Sequence, residues 1–162
     1  MHRLILLAAL SLAVVLPVAT GPALADERGA EVKAVMEDYL RLWNAHDAAA
    51  ITARIYRFDA PNPMGGLAGL SAEFARLKAQ GYDHSTDGGI EACIVGPGQA
   101  LAEMRFSRLK ANGDALPPKD RATLYQLRRF PDGWRIVRMI PMSASAKISC
   151  TSAAAAAAAA AG

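Results

Sequence analysis

Apolar side chains recur every three or four residues between residues 31 and 43, and charged residues occupy the opposite positions. This spacing predicts an amphipathic helix that lies against the rest of the protein, with Tyr39 and Trp43 on its buried face. The pattern lapses at residues 44–46, and Asp47 then precedes a second helical run, "AAAITARIY". Because an aspartate can accept hydrogen bonds from the free amide groups at a helix start, we expect a corner between two helices here.

Prolines and glycines end the second helical run. After Tyr56 the sequence "RFDAPNPMGGLAG" contains two prolines and three glycines, which exclude a central strand and indicate a turn region with at most a short edge strand. Ser71 then begins "SAEFARLKAQG", which predicts a third helix that ends at Gly81.

The rest of the chain has the pattern of a sheet. It predicts five strands separated by turn sequences: Tyr82–Thr86, Ile90–Val95, Gln99–Leu109, Ala122–Phe130 and Trp134–Pro141. The first predicted turn is Asp87-Gly88-Gly89. Strands joined by such short connections are antiparallel. Three helices followed by an antiparallel meander predict the α+β class, with the helices covering one face of a curved sheet.

The N-terminal segment has the pattern of a signal peptide. A basic start, an apolar run over residues 4–15 and the small residues Ala23-Leu24-Ala25 predict cleavage after Ala25. The alternative is a membrane anchor, but the apolar run is shorter than the roughly 20 residues that span a bilayer. We therefore expect residues 1–25 to be a cleaved signal peptide, and the protein to be periplasmic or secreted with no stable membrane anchor.

The distribution of charge argues against one class of function, nucleic-acid binding. The chain has 18 basic and 15 acidic residues, and the two kinds are interleaved, so the basic stripe of a nucleic-acid-binding protein is absent from the sequence.

The domain is predicted to span residues 26–145. The alanine-rich residues 146–162 are predicted to form a flexible tail, because a short alanine tract nucleates helix poorly.

The chain has two cysteines, Cys93 and Cys150. Export would allow them to form a disulfide, whereas the apolar surroundings "IEACIV" suit a free buried thiol equally well. Neither cysteine has a histidine or a second cysteine at the spacing of zinc ligands, so we expect no metal site and no cofactor.

Three stretches in order resemble a known family. The helix end "YLRLWNAHDAAAI", the short helix "SAEFARLKAQG" and the final hairpin "LYQLRRFPDGWRIVRM" resemble the nuclear-transport-factor-2-like superfamily, in its SnoaL-like or ketosteroid-isomerase-like branch. The resemblance covers residues 27–142. It implies a cone, in which a bent antiparallel sheet wraps around the long first helix and leaves a pocket at its wide end. The family includes enzymes, immunity proteins and binding modules, so the fold does not fix the function.

The ketosteroid-isomerase pattern implies a tyrosine on the first helix, a carboxylate base after the second helix and an acid on a late strand. Tyr39 matches the tyrosine. The base position falls on Asn62, which cannot accept a proton from carbon, and the late acid falls near Tyr125 or Gln126. The pair of acids that this mechanism needs is therefore missing, and steroid isomerisation is not predicted.

Several residues remain candidates for a site. If the protein is an enzyme, the general base is predicted to be Asp59 or His84, although Asp59 could instead stabilise a turn and His84 could be an ordinary strand residue. Arg105 would line the cone if the polar face of its strand looks inward, and it would face water otherwise. The predicted pocket residues are Tyr39, Trp43, Tyr56, Asn62, Arg105 and Tyr125.

The leading hypothesis is an exported module that binds a small apolar or amphipathic ligand in the cone without turnover. The first alternative is a small cofactor-free isomerase, cyclase or dehydratase that uses Asp59 or His84. The second alternative is an immunity-type interaction protein that uses the open sheet face, and a homodimer through that face belongs to the same hypothesis. Whether the chain is an enzyme is left open by the sequence.

Overall fold

The structure is a computed structural model that describes residues 22–58, 64–150 and 152–153. The predicted site residues Asp59 and Asn62 lie outside the described residues. The same holds for most of the predicted signal peptide and most of the alanine tract.

Three helices precede the sheet. Helix α1 is Pro22–Asn44, α2 is Ala48–Ala50 followed by a wider π-helical turn, Ile51–Ile55, and α3 is Gly66–Ala79. The predicted apolar face of α1 is buried through Val32, Met36, Tyr39, Leu42 and Trp43. None of the described helices has the length and apolar character that crossing a membrane requires.

The corner between α1 and α2 forms as predicted. A carboxylate oxygen of Asp47 accepts a hydrogen bond from the backbone N–H of Ala50, at 2.9 Å. His46 takes a left-handed conformation with φ of 54°, and its ring lies between those of Phe74 and Tyr82, with centroids 5.3 and 5.5 Å away. The corner is therefore capped and packed, and His46 contributes to it through ring contacts.

Four strands form a single antiparallel sheet in the order β1-β2-β3-β4. They are Tyr82–Gly96, Gln99–Lys110, Arg121–Phe130 and Gly133–Met142. The predicted turn at Asp87-Gly88-Gly89 is wrong, because the first two predicted strands are one long strand that pairs with β2 on both sides of this point. The glycines form an irregularity in the strand: Gly89 has φ of 121°, which disfavours other residues, and a Cβ on Gly88 would lie 3.0 Å from the Arg105 carbonyl.

The sheet has a concave face that the helices cover. Alternation along β2 places Ala102 and Met104 in the core, and α1 contacts β1, β2 and β4. Asn44 ties the end of α1 to the sheet, since its side chain donates to the Ser85 carbonyl at 2.9 Å and accepts from the Ser85 N–H at 2.8 Å. The predicted α+β cone, with a curved sheet wrapped around the first helix, is confirmed.

The chain after β4 returns over the convex face of the sheet. In this C-terminal segment, residues 143–150, the carbonyls of Ala144 and Ala146 accept hydrogen bonds from the Arg105 guanidinium. Cys150 forms a disulfide with Cys93 of β1, with Cα atoms 5.2 Å apart. Ala146 and Cys150, which belong to the predicted flexible tail of residues 146–162, thus contact the sheet.

Candidate functional site

A cavity of about 400 Å³ opens between α1, α3 and the concave face of the sheet. Most of its wall is apolar and comes from Leu40, Trp43, Met104, Phe106, Met139 and Pro141. A volume in this range is typical of small-molecule sites, which run from roughly 300 to 1,000 Å³. The cavity is thus large enough for a small organic ligand.

Three tyrosine hydroxyls meet at the inner end of the cavity. Tyr39 and Tyr125 line it, and their ring centroids lie 5.6 Å apart. Behind them, the Tyr56 hydroxyl donates a hydrogen bond to the Tyr39 hydroxyl at 2.8 Å. Burial raises the pKa of all three phenols well above the ordinary value. They are consequently protonated at neutral pH and can act as hydrogen-bond donors.

Arg108 brings a positive charge into this apolar cavity. Its side chain is only 16% exposed, and its guanidinium lies 5.6 Å from the Trp43 ring centroid and 5.9 Å from that of Phe106. Its Nε atom is buried and has no hydrogen-bond partner among the described residues. A buried donor without a partner costs free energy, so the position suits a ligand that supplies an acceptor.

Glu73 of α3 also lines the cavity and forms a long ion pair with Arg108, with 4.0 Å between the nearest nitrogen and oxygen. Arg76 already holds both carboxylate oxygens of Glu73, at 2.7 and 2.6 Å. Those hydrogen bonds lower the pKa of Glu73. Glu73 is therefore ionised and engaged by Arg76, which makes it a weak proton acceptor and leaves Arg108 only partly neutralised.

A sequence model of NTF2-like proteins, the family DUF6841, matches residues 60–144, which is just over half of the chain. The chain belongs to this NTF2-like family. The superfamily inferred from the sequence is thereby confirmed. No curated protein matches the sequence.

Solved structures of NTF2-like proteins share the fold. An NTF2-like protein with a cystatin-like fold from Novosphingobium aromaticivorans has 20% identity and a TM-score of 0.55, over 78% of this chain and 88% of that one. An NTF2-like superfamily protein from Salmonella enterica has 16% identity and a TM-score of 0.55, over 76% and 95%. A ketosteroid isomerase-like protein from Erwinia carotovora atroseptica has 19% identity and a TM-score of 0.51, over 73% and 98%. At these identities the similarity shows the fold alone.

In this NTF2-like protein, the cavity brings together the predicted residues Tyr39, Trp43 and Tyr125, and Tyr56 lies directly behind Tyr39. These positions follow from the helical spacing on α1 and from the alternation along β3. The aromatic part of the predicted pocket is therefore assembled at the cavity, whereas the role of each residue stays a prediction.

Two other predicted residues lie elsewhere. Arg105 is corrected from a cavity position to the convex face, because it occupies the opposite parity to Met104 on β2 and holds the C-terminal segment. His84 does not line the cavity, and its Nδ1 lies 2.8 Å from the carboxylate of Asp83 at the surface. Both placements result from the register of the strands, which the sequence alone left open.

Arg108 is not among the site residues that the sequence predicts. The signal was present, since the inward alternation of Ala102, Met104 and Phe106 reaches Arg108 in one further step. A charged residue at an inward position is ordinarily typical of the end of a buried face. The structure shows that the buried face continues to Arg108.

Proposed function

We propose that this NTF2-like protein binds a small apolar or aromatic carboxylate in the cavity, without chemical turnover. The observation that carries the proposal is the Arg108 guanidinium, which lies inside an apolar cavity with its Nε lacking a hydrogen-bond partner among the described residues. A guanidinium offers a planar fork of donors that matches a carboxylate. An anionic ligand would satisfy these donors and offset the charge that Glu73 leaves uncompensated.

The walls of the cavity suit the apolar body of such a ligand. The side chains of Trp43, Met104 and Phe106 would contact an apolar body, and methionine adapts readily to irregular shapes. The protonated hydroxyls of Tyr39 and Tyr125 would donate to a polar group at the inner end. The site would therefore recognise an amphipathic ligand with its acidic group at Arg108.

The titratable groups support binding more than catalysis. A general base needs a pKa near the working pH and a free lone pair within reach of the substrate. Among the described residues, the acidic side chain lining the cavity is Glu73, whose pKa is lowered by the hydrogen bonds from Arg76. His84 lies at the surface beside Asp83. The cavity thus offers donors to an anion rather than an available base.

A titration with matched ligand pairs tests the proposal. Octanoate and phenylacetate are compared with octanamide and phenylacetamide, using calorimetry and tryptophan fluorescence, to which Trp43 in the cavity wall contributes. We expect each carboxylate to bind about tenfold or more tightly than its amide, because a charge-assisted hydrogen bond is lost with the amide. Arg108→Gln should abolish that preference, whereas Arg138→Gln, at an exposed position, should preserve it.

Equal affinity for acid and amide would overturn the assignment to Arg108. Chromatography of the mixture shows whether a bound ligand is consumed. Its consumption would overturn the proposal that binding occurs without turnover.

A further inference from the structure

Ser85 of β1 lies beside Arg108 on the wall of the cavity. The two residues are direct partners in the antiparallel pairing of β1 with β2, and both line the cavity. Side chains at directly opposite positions of such a pair project from the same face, with Cβ atoms roughly 5 Å apart. Ser85 is only 4% exposed. A buried hydroxyl therefore adjoins the arginine that would hold the acidic group of the ligand.

An irregularity in β1 turns Ser85 toward the cavity together with Tyr82. Residues three positions apart on a regular strand project from opposite faces. Here the pairing with β2 shifts register between Tyr82 and His84, and Tyr82 and Ser85 are both buried. The Tyr82 hydroxyl lies 2.8 Å from Ser85 Oγ, so the two hydroxyls are hydrogen-bonded to each other.

The hydrogen-bond distances leave the Ser85 proton available to a ligand. Burial raises the pKa of Tyr82, so its hydroxyl keeps its single proton at neutral pH. Acceptors near this hydroxyl are Ser85 Oγ at 2.8 Å and the side-chain oxygen of Asn44 at 3.4 Å. The shorter distance is the one in the normal range, and the Asn44 oxygen already accepts from the Ser85 N–H. With Tyr82 donating to Ser85 Oγ, the Ser85 proton can point into the cavity.

The Arg108 guanidinium reaches the same part of the wall. Its central carbon lies 6.0 Å from the centroid of the Tyr82 ring, whose hydroxyl contacts Ser85. In the described part of the chain, the acidic side chain lining the cavity is Glu73, and Arg76 holds both of its oxygens at 2.7 and 2.6 Å. A ligand carboxylate is therefore the acceptor that would face Arg108 and Ser85 together.

We infer that Ser85 donates a second hydrogen bond to the ligand's carboxylate, beside those from Arg108, and that Tyr82 holds the Ser85 hydroxyl in this orientation. The inference rests on the proposed function, because it assigns a second donor to the same acidic group. An anion attracts the Ser85 proton, and Tyr82 then donates to the serine oxygen. Ser85 contacts the ligand, whereas Tyr82 is a positioning residue that acts through Ser85.

This arrangement narrows the ligand class to free carboxylic acids. Both oxygens of a carboxylate accept hydrogen bonds, so one can face Arg108 while the other faces Ser85. An amide offers one oxygen and turns its N–H groups toward one of the two donors. Two adjacent donors thus reject the amide more strongly than Arg108 alone would.

Combined changes in ligand and protein test the inference. Octanoate and octanamide are titrated into the wild-type protein and into Ser85→Ala by calorimetry. Ser85→Ala should weaken octanoate about tenfold and octanamide about threefold, because a hydrogen bond to a charged acceptor is roughly twice as strong as one to a neutral acceptor. Ser107→Ala is the matched control. Ser107 borders the cleft on the convex face, so this substitution should leave both affinities within about twofold.

The role of Tyr82 needs a second pair of variants. Tyr82→Phe removes the hydroxyl that orients Ser85 and should weaken octanoate about threefold. In the Ser85→Ala background the same substitution should cause no further change in the ratio of the octanoate and octanamide affinities, because Tyr82 acts through Ser85. A purely structural role would lower the urea midpoint and leave this ratio unchanged in every variant, which would overturn the positioning role.

The outcomes separate this inference from the proposed function. If Ser85→Ala changes the two affinities equally, or changes neither, the Ser85 contact is overturned. The proposed function survives that result when Arg108→Gln still abolishes the preference for the acid. Equal affinity of the wild-type protein for octanoate and octanamide overturns both. If Ser85→Ala does not fold, Ser85→Cys replaces it, since cysteine has nearly the same size and is a weak donor. An unchanged affinity ratio in that variant overturns the Ser85 contact as well.

Discussion

The backbone N–H of Ile148 donates a hydrogen bond to the side chain of Glu103, with 2.6 Å between the nitrogen and Oε2. Glu103 lies on the convex face of β2 and is only 2% exposed, and its other oxygen pairs with Arg105 at 2.5 Å. A buried carboxylate is tolerated when it is both paired and hydrogen-bonded. Glu103 therefore links the C-terminal segment to the sheet.

Glu103→Gln should destabilise the protein by about 1–3 kcal/mol, because the ion pair with Arg105 is lost and the hydrogen bond from Ile148 becomes neutral. Urea unfolding followed by circular dichroism measures the change. Glu91→Gln is the matched control, since Glu91 faces Glu103 across β1 and β2 but is exposed. Equal effects of the two substitutions would contradict the role given to Glu103.

The disulfide should contribute more to the free energy of unfolding than any single hydrogen bond does. Cys93 and Cys150 are 57 residues apart, and closing a loop of that length stabilises by about 4 kcal/mol on the chain-entropy model. Unfolding by guanidinium with and without a reductant should show a loss of this size. The variant with both cysteines changed to alanine should be unfolded equally easily in either condition. An unchanged midpoint on reduction of the wild-type protein would refute the contribution.

Local sequence patterns predicted much of the fold. The spacing of Tyr39 and Trp43 placed both on the buried face of α1, because a helix that lies on a sheet must bury one stripe. The turn at Asp87-Gly88-Gly89 failed, since glycines serve both tight turns and strand irregularities, and only the pairing with β2 decides between them.

The site was harder to predict than the fold. Its aromatic wall follows from periodicity, but the decisive charge, Arg108, required knowing how far the concave face extends. The contact between Ile148 and Glu103 joins residues 45 positions apart through a segment without periodic pattern. Nothing local in the sequence encodes such a contact.

The irregularity in β1 should make the protein sensitive to substitution of Gly89. Gly89 has φ of 121°, where a Cβ is strained, and Gly89→Ala should cost about 1–3 kcal/mol. Gly96→Ala is the control, because Gly96 lacks a positive φ and its added Cβ would meet its nearest neighbour, Cβ of Gln99, at 3.9 Å. Urea midpoints of the two variants test this, and a loss for Gly96→Ala as large as that for Gly89→Ala would argue against strain at Gly89.

Tyrosine titration should report the buried hydroxyl cluster. The chain has four tyrosines, and burial is the main cause that raises the pKa of each: Tyr39, Tyr56, Tyr82 and Tyr125. In the unfolded chain they should lose their protons near pH 10. The folded state then holds more protons than the unfolded state, so stability is complete below about pH 10 and falls above it, by up to about 1.4 kcal/mol per pH unit for each tyrosine.

The ultraviolet absorbance of tyrosinate measures this directly. In the folded protein it should stay low through about pH 10, and in concentrated guanidinium it should rise with a midpoint near that pH. Circular dichroism recorded on the same samples shows whether the chain is still folded. If all four phenols ionised near pH 10 in the folded protein, the hydroxyls of Tyr39 and Tyr125 would be open to water. The cavity would then lack the dry inner end that lets protonated phenols donate to a ligand.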